Sequence, residues 1–214
     1  MQKSGNNINR VSCRLCESGS DLFYEEGKKK YYRCGRCSAV FLDPVCFLSR
    51  EQEKARYEKH ENSLGDQGYL GFLEPLISLI EQSFGPRHKG LDFGSGPEPA
   101  VASLLRQKGY SVELYDPFFC NNPGSLLNKY DFIACSEVIE HFHYPARLRS
   151  LLKPGGVLFC MTSLYSKNID FRNWYYKDDP THVIFYHRNT LEHIRSLAGF
   201  SSVIAAGRII RFTC

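Results

Sequence analysis

The sequence has few of the features that would place it in a membrane or outside the cell. Among its 214 residues, no apolar run approaches the roughly 20 residues that a helix needs to cross a bilayer. The first ten residues, MQKSGNNINR, contain no apolar stretch of the kind that a secretory signal requires. We therefore expect a cytoplasmic protein with no membrane partner, in which the cysteines stay reduced.

Cysteine number and charge exclude two further classes of protein. The nine cysteines are an odd number, which argues against a complete disulfide framework. The net charge is +4, and the excess lies in residues 1–60, which carry 12 basic and 8 acidic side chains, whereas residues 61–214 carry 15 of each. Proteins that coat nucleic acid usually have a stronger basic surplus. The basic run at residues 28–30 is therefore more typical of a solvated face.

Four cysteines near the N-terminus have the spacing of a metal site. Cys13 and Cys16 form one Cys-x-x-Cys pair, and Cys34 and Cys37 form a second. Between the pairs, apolar stretches flank a polar segment, a pattern that predicts two strands joined by a turn. Two such pairs at the ends of a hairpin can place four thiolates around one zinc ion. We predict a structural zinc ribbon over residues 1–45; a redox pair and simply buried cysteines are the alternatives.

Residues 46–88 are expected to form a helical linker or lid. The charged stretch 49–62 is typical of an exposed helix or linker, and apolar side chains recur at helical spacing around residues 74–84. Pro75 is expected in the first turn of that second helix, and the Gly-Pro pair at 85–86 ends it. The other cysteines are predicted to be core or edge residues. They are Cys46, Cys120, Cys135, Cys160 and Cys214.

Residues 89–214 alternate short apolar runs with helical patterns, which predicts a parallel sheet with crossover helices. The last helix has the clearest signals, with Asn189 as the expected N-cap, Glu192 in a capping box and Gly199 at its end. We expect strands near 89–94, 111–116, 130–136, 156–162, 201–206 and 208–213, and helices near 99–108, 145–152 and 189–198.

The first strand of this region ends in a glycine turn. Gly94 and Gly96 follow Asp92 and lack Cβ atoms where a ligand must approach the backbone. The next helix directs its N-terminus to the same place, which favours a negatively charged group. Asp116 ends the second strand, where an acid can bond both hydroxyls of an adenosine ribose. Together these features indicate a nucleoside-binding site.

Four motifs of this region resemble those of class I S-adenosylmethionine-dependent methyltransferases. They are LDFGSG at 91–96, YDPF at 115–118, YDFIACSEVIEH at 130–141 and LLKPGG at 151–156. The resemblance covers roughly residues 73–214. It implies an α/β, Rossmann-like sheet with helices on both faces, an antiparallel last strand, and S-adenosyl-L-methionine as cofactor. Some bacterial members also carry an N-terminal zinc ribbon that ends in an F-x-x-P stretch, similar to Phe41 to Pro44.

The resemblance also implies a set of cofactor contacts. Asp116 would bind the ribose, Gly94 and Gly96 would lie under the methionine part, and residues 136–141 would line the sulfonium side. The expected cofactor-binding residues are Asp92, Gly94, Ser95, Gly96, Asp116, Pro117, Phe118, Ser136, Glu137 and His141.

Two features depart from the family pattern. Pro97-Glu98-Pro99 stands where the family has its third glycine, and Glu98 would be unfavourable beside the cofactor carboxylate unless it points away. Only about 13 residues separate the second predicted strand from the next, too few for a helix and another strand. We therefore expect the third strand to be missing or vestigial. The adenine pocket would then be more open, or covered by Phe118 and Phe119.

Residues 170–187 are rich in aromatic side chains and contain two histidines and the only tryptophan. Because this segment follows a predicted strand, it can form a lid over the acceptor site; an aromatic cluster packed on the sheet is the alternative. The candidate substrate-binding residues are Trp174, Tyr175, Tyr176, His182 and Tyr186. The candidate general bases are His141, His143, His182, His187 and several tyrosines, although a histidine such as His141 could instead hold a loop in place.

The chain lacks the Asn-Pro-Pro-aromatic motif that similar enzymes use on nucleobase amines, since Ser-Glu-Val-Ile stands at 136–139. We expect methyl transfer to a small molecule, such as a sugar-like or quinol-like metabolite, with O-, C- and N-methylation all open. The alternatives are an RNA- or protein-binding zinc ribbon on a degenerate methyltransferase scaffold, an RNA methyltransferase, and a nicotinamide dehydrogenase. Residues 136–141 would have no role in the dehydrogenase.

We expect elemental analysis to find one zinc ion per chain in the ribbon. The Cys34→Ser substitution removes one thiolate, so it should release that ion and unfold the ribbon while most of the larger domain stays folded by circular dichroism. Retention of the full zinc content by this variant would contradict the ligand assignment.

Overall fold

The computed structural model describes residues 11–59, 64–142 and 144–214. In this part of the chain, eleven strands form two sheets, accompanied by four α-helices and several 3₁₀ turns. The α-helices are α1 (Arg50–Tyr57), α2 (Gln67–Ser83), α3 (Ala100–Gln107) and α4 (Arg188–Ala198). The small sheet contains β1 (Val11–Ser12), β2 (Gly19–Glu26), β3 (Lys29–Cys34), β4 (Val40–Leu42) and β9 (Ile184–Phe185). The large sheet contains β5 (Lys89–Phe93), β6 (Ser111–Tyr115), β7 (Tyr130–Ser136), β8 (Leu152–Met161), β10 (Ser202–Ala206) and β11 (Ile209–Thr213).

The small sheet is antiparallel, with strand order β1-β2-β3-β4-β9. Strands β2 and β3 form the hairpin predicted between the two cysteine pairs, and Gly27 takes the left-handed conformation (φ 59°) at its turn. The last strand comes from the distant residues 184–185, with Val40 opposite Phe185. The N-terminal ribbon is therefore joined through backbone hydrogen bonds to the C-terminal part of the chain.

The aromatic segment 170–187 packs on this small sheet. The ring centroid of Phe171 lies 5.1 Å from that of Tyr31, and the ring centroid of Trp174 lies 5.4 Å from that of Phe185. All four side chains are at most 7% exposed. Edge-to-face and tilted aromatic pairs add to the apolar burial, so the cluster fixes the segment against the ribbon.

The large sheet has the order β10-β11-β8-β7-β5-β6. Strands β5 to β8 are parallel, whereas β11 runs antiparallel to β8 and β10 antiparallel to β11. The chain between β6 and β7 contains a 3₁₀ turn, Pro123–Leu126, and an isolated bridge between Asp116 and Cys120, but no further strand in the described residues 116–129. The predictions of an antiparallel last strand and a missing third strand are confirmed.

Both faces of the large sheet are covered by helices. On one face, Phe132 and Ala134 of β7 belong to a core shared with α2 and α3. On the other face, Ile133 and Cys135 belong to a core shared with α4 and the ribbon. Because successive residues of a strand point to opposite faces, this alternation explains the uninterrupted apolar run of β7.

Three local predictions need correction. Helix α2 begins at Gln67, since the Asp66 side chain accepts hydrogen bonds from the backbone N–H of Gly68 and Tyr69, so Pro75 lies inside the helix rather than in its first turn. Residues 145–151 form a 3₁₀ turn instead of an α-helix. Helix α4 is capped by His187, whose ring accepts from Asn189 N, rather than by Asn189, although Gly199 ends the helix as predicted.

Gly90 in β5 is expected to tolerate no side chain. A Cβ at this position would lie 2.3 Å from the ring of Phe132, so Gly90→Ala should lower the free energy of unfolding by about 1–3 kcal/mol through overpacking. Gly71→Ala is the matched control, because Gly71 lies exposed in α2 with open space around its Cα. It should stabilise the chain by up to about 1 kcal/mol. Urea unfolding compares the two, and equal stability of both variants would contradict the packing described.

Candidate active site

A cavity of about 1720 Å³ opens at the carboxyl ends of β5, β6 and β7. Strand β5 lies between β6 and β7, so the strand order reverses there, and ligands of open α/β sheets bind at such a point. Pockets for one small molecule usually measure about 300–1,000 Å³. This cavity therefore has room for two molecules side by side. All the predicted cofactor-binding residues line it except Asp92.

The turn after β5 allows a ligand to approach the backbone. Gly94 and Gly96 have φ of 76° and 66°, in the left-handed region that glycine adopts readily. A Cβ on Gly94 would lie 2.5 Å from Val138 Cγ2, so a larger residue would displace the cavity wall. Glu98, which would be unfavourable beside a cofactor carboxylate, is exposed at the rim of the cavity.

Asp116 directly follows β6 and joins two loops through hydrogen bonds. Its Oδ2 accepts a hydrogen bond from Gly96 N at 3.0 Å, and its Oδ1 accepts from Phe118 N at 2.8 Å and from Phe119 N at 3.0 Å. The side chain is 7% exposed and lines the cavity. A carboxylate can accept about four hydrogen bonds, so three backbone donors leave capacity for a ligand hydroxyl.

Asp92 was expected to contact the cofactor, but it does not line the cavity. Its side chain is buried below the glycine turn, and its Oδ2 accepts a hydrogen bond from Ala102 N, in the first turn of α3, at 3.0 Å. Burial raises the pKa of Asp92 to about 7. Asp92 therefore holds the start of α3 against the end of β5 rather than lining the cavity.

Helix α1 lies against the loop that follows β6. Arg50 Nη2 donates to the backbone oxygen of Pro117 at 2.9 Å, and its guanidinium lies 5.2 Å from the ring centroid of Phe118. At the other end of the helix, Arg56 forms a 2.7 Å ion pair with Asp179 of the aromatic segment. The charged stretch predicted as an exposed helix is thus a wall of the cavity.

Two glutamates follow β7 at the side of the cavity opposite β6. Glu137 has φ of 52°, a strained conformation for a non-glycine residue, and its Oε2 accepts from Tyr176 Oη at 3.0 Å and from Arg208 Nη2 at 2.7 Å. Glu140 is fully buried, and its Oε1 also contacts the Tyr176 hydroxyl, whose single proton the two carboxylates share. The pKa of each glutamate is raised to about 7, by burial in both cases and at Glu137 also by the charge of Glu140.

The structure brings two of the four candidate histidines into the cavity. His141 and His182 both line it, with ring centroids 4.9 Å apart. Burial lowers the pKa of His141, which favours the neutral ring. His187 instead caps α4 outside the cavity, which removes it from any contact with a substrate there. His143 lies outside the described residues.

Three of the five candidate substrate-binding residues line the cavity, and two do not. Tyr175, Tyr176 and His182 line the cavity, and Tyr175 is 66% exposed at its mouth. Trp174 belongs to the aromatic cluster on the small sheet, and the Tyr186 hydroxyl donates to the backbone oxygen of Ile139 at 2.7 Å in the core. The segment is therefore both a packed cluster and a cavity wall, and Tyr176 belongs to both.

Sequence reasoning missed several residues of the cavity wall. Tyr69 and Phe72 of α2 line the cavity, although their helix was expected only to pack on the sheet. Arg208, in the turn between β10 and β11, reaches Glu137 across the sheet. The sequence could not predict this contact, because the two residues are far apart in the chain and only the order of the strands brings them together.

The four predicted zinc ligands converge in the ribbon. Cys13 Sγ lies 3.7 Å from Cys37 Sγ, and Cys16 Sγ lies 3.4 Å from Cys34 Sγ. Four sulfurs at about 2.3 Å from one zinc ion would be separated by about 3.8 Å, so the donor set fits a tetrahedral thiolate site.

Backbone donors complete the environment of the sulfurs. The N–H groups of Leu15, Arg36 and Cys37 donate to cysteine sulfurs at 3.3–3.4 Å, which stabilises negative charge on them. The left-handed residues of the two turns are Glu17 and Ser38.

The family model described as "Methyltransferase domain" matches residues 59–205. A comparison with curated proteins finds no match to this chain. In the described part of the chain, none of the helices is long and apolar enough to cross a bilayer.

Several solved structures are similar to the chain. An O-methyltransferase family protein from Burkholderia thailandensis is 13% identical, with a TM-score of 0.49 over 66% of this chain, and the chain spans 55% of that protein. The 1,6-didemethyltoxoflavin-N1-methyltransferase of the same organism, solved with bound 1,6-didemethyltoxoflavin and S-adenosylhomocysteine, is 14% identical, with a TM-score of 0.48 over 90% of this chain and 97% of its own. A "possible exported protein" from Bordetella parapertussis, 13% identical, reaches a TM-score of 0.50 over 78% of this chain and 80% of its own, and shares the fold.

The Asp92→Asn substitution should change how stability depends on pH. The pKa of Asp92 is raised from its ordinary 3.8 to about 7 on folding, so ionisation of this group increasingly disfavours the folded state as the pH rises toward 7. Asparagine cannot ionise. The stability of Asp92→Asn relative to wild type should therefore grow by about 2 kcal/mol between pH 5.5 and pH 8 in urea unfolding.

Asp131→Asn is the control with the opposite sign. Although burial acts to raise the pKa of Asp131, hydrogen bonds from Lys153 and from Lys89 N lower it overall. The ionised Asp131 therefore stabilises the fold over the same pH range, and Asp131→Asn should lose stability at pH 8. An Asp92→Asn variant whose stability relative to wild type falls with pH would contradict the environment described for Asp92.

Proposed function

Because the chain belongs to the methyltransferase-domain family, we propose that it transfers a methyl group from S-adenosylmethionine to a small-molecule acceptor. The observation that carries this proposal is the cavity, in which the glycine turn and Asp116 stand at one end and a compartment of polar and aromatic side chains stands at the other. The proposed methyltransferase domain is 89–214, with 46–88 as its lid and 1–45 as its zinc ribbon. A four-thiolate site needs reduced cysteines, which supports the cytoplasm as the proposed compartment.

The proposed cofactor contacts follow from the geometry of the strand ends. Asp116 would accept hydrogen bonds from the ribose hydroxyls, and the backbone of Gly94 and Gly96 would lie against the methionine part. Phe118 and Phe119 stand where a third strand would otherwise border the adenine, and Arg50 of α1 holds Phe118 in place. The ring of Phe118 would thus replace the missing strand as the cover of the base.

The residues after β7 would face the reacting methyl group. When bound, S-adenosylmethionine supplies a methyl group that its positively charged sulfur makes electrophilic. Ser136, Glu137 and His141 line the cavity next to the glycine turn, and His182, Tyr175 and Tyr176 line the wall beyond. These side chains would orient the acceptor and exclude water, which is most of what methyl transfer demands of a protein.

A role in RNA binding has less support. Lys30 lies 3.9 Å from Glu25 across the hairpin turn, and Lys29 is paired in register with Glu26. The acidic residues of β2 therefore offset much of the positive charge at residues 28–30. A nucleic acid would meet little net positive potential at this face.

Isothermal titration calorimetry with S-adenosylhomocysteine should show one site per chain. Asp116→Ala removes a charged acceptor of the ribose hydroxyls, worth about 1.5–3 kcal/mol, so affinity should fall about 10- to 100-fold. Asp116→Asn keeps one oxygen acceptor for the loop and should bind with intermediate affinity.

Glu81→Ala, on the outer face of α2 and paired with Lys108, is the control and should bind like wild type. An absence of heat from the wild-type protein at millimolar ligand would contradict the proposal, and so would unchanged affinity in Asp116→Ala.

A further inference from the structure

Three metal-ligating side chains meet in the wall of the cavity beyond the glycine turn. Glu140, His141 and His182 each place one ligand atom within 4.8 Å of those of the other two. His182 Nε2 lies 4.0 Å from Glu140 Oε1. Glu137 stands beside them, since its Oε2 shares the hydroxyl of Tyr176 with Glu140. Separations of this size suit atoms that bind one ion, because each would lie slightly more than 2 Å from it.

The two histidines are oriented as metal ligands usually are. His141 Nδ1 lies 2.9 Å from the backbone oxygen of Thr181, and His182 Nδ1 lies 2.6 Å from the backbone oxygen of Tyr176. A carbonyl oxygen can only accept, so each Nδ1 carries the proton and Nε2 carries the lone pair. Metal-bound histidines are commonly fixed by a hydrogen bond of this kind from the other ring nitrogen.

Glu137 and Glu140 each have one buried carboxylate oxygen without a hydrogen-bond partner among the described residues. Glu140 is 0% exposed, and its Oε2 has no hydrogen-bond partner among the described residues. Glu137 Oε1 is likewise buried without a partner in that part of the chain. The side chain of Arg208 contacts Glu137 at 2.7 Å. Buried carboxylate oxygens without partners are costly, and a positive charge bound beside Glu140 would offset that cost.

We propose that Glu140, His141 and His182 bind a divalent cation, with Glu137 as a further oxygen ligand. Two imidazoles with carboxylates and no thiolate suit a first-row ion such as Mn²⁺ that accepts six ligands. Four side chains leave positions of such an ion for ligands from the cavity, which three of the four residues line. The histidines then act as ligands rather than as general bases, and this site is separate from the four cysteines of the ribbon.

The ion also defines an acceptor class, an inference that rests on the proposed function. A divalent cation binds oxygen and lowers the pKa of a bound hydroxyl. The acceptor hydroxyl would lose its proton to water and form a C–O bond with the methyl carbon, while the methyl C–S bond breaks and its electron pair returns to sulfur. The acceptor would therefore be a hydroxyl compound, and one with two neighbouring oxygens would chelate the ion best.

Mn²⁺ titration tests the site without using activity. The full chain, dialysed free of loosely bound divalent ions and retaining its ribbon zinc, is titrated while electron paramagnetic resonance measures free Mn²⁺. Wild type should bind one Mn²⁺ per chain, and Mg²⁺ should compete. Loss of one ligand in Glu140→Gln or His182→Asn should weaken Mn²⁺ binding at least about 10-fold.

The matched control is His187→Asn, which alters a histidine of the same segment but keeps an acceptor at the N-cap of α4. It should bind Mn²⁺ like wild type. Mn²⁺ should also raise the Tm of wild type and of His187→Asn but not of Glu140→Gln, because only a ligand bound to the folded state stabilises it. Glu140→Gln preserves the shape of the side chain, so it carries the test if His182→Asn does not fold.

Two results would overturn the inference: no Mn²⁺ bound by wild type at millimolar concentration, or equal affinity in wild type and Glu140→Gln. S-adenosylhomocysteine titration of the same samples separates this outcome from failure of the proposed function. Cofactor binding without Mn²⁺ binding would contradict only the proposed metal site. Mn²⁺ binding without cofactor binding would contradict the proposed methyltransferase activity and leave the metal site supported. If both ligands bind, methylation of an acceptor on nitrogen or carbon at a rate independent of Mn²⁺ would contradict the inference that the acceptor is a hydroxyl compound.

Discussion

The carboxylate of Asp116 is the contact on which the geometry of the cavity depends. It accepts hydrogen bonds from Gly96 N on one side and from Phe118 N and Phe119 N on the other, so one buried side chain sets the distance between the two loops. In a sheet with a third strand, the loop after β6 would have a neighbour on its outer side. Here β6 is the edge strand, and Asp116, Arg50 and the rings at 118 and 119 define that side of the cavity.

The zinc ribbon is coupled to the other end of the cavity through backbone hydrogen bonds. Leu42 N donates to the oxygen of Val183 at 3.0 Å, and Val183 N donates to the oxygen of Glu140 at 2.9 Å. The buried ammonium group of Lys177 also pairs with Glu26 of the ribbon at 3.0 Å. The segment that carries Tyr176 and His182 is therefore held between the ribbon and the strand ends. A metal in the ribbon would act on the site by fixing this segment, with no contact to a substrate.

The fold was largely predictable from the sequence, and the site only in part. The strands of the large sheet are short apolar runs with clear ends, so periodicity and turn residues located them. The short segment after the second strand, set against the family pattern, predicted the missing third strand. The glycine turn and Asp116 follow strands directly, and their positions were therefore predictable. By contrast, the contact between Glu137 and Arg208 and the pairing of β4 with β9 join distant parts of the chain. Asp92 and Trp174 lie near the predicted site in sequence but face the interior, which only the packed structure distinguishes.

The most direct test of the account is a crystal structure of the chain with S-adenosylhomocysteine. We predict that the ribose hydroxyls lie within hydrogen-bond distance of the Asp116 carboxylate, that the adenine lies against Phe118, and that the sulfur points toward Glu137 and His141. Density showing the nucleoside elsewhere, or the space between Asp116 and Gly94 filled by protein side chains, would contradict the central claim that this cavity holds the methyl donor.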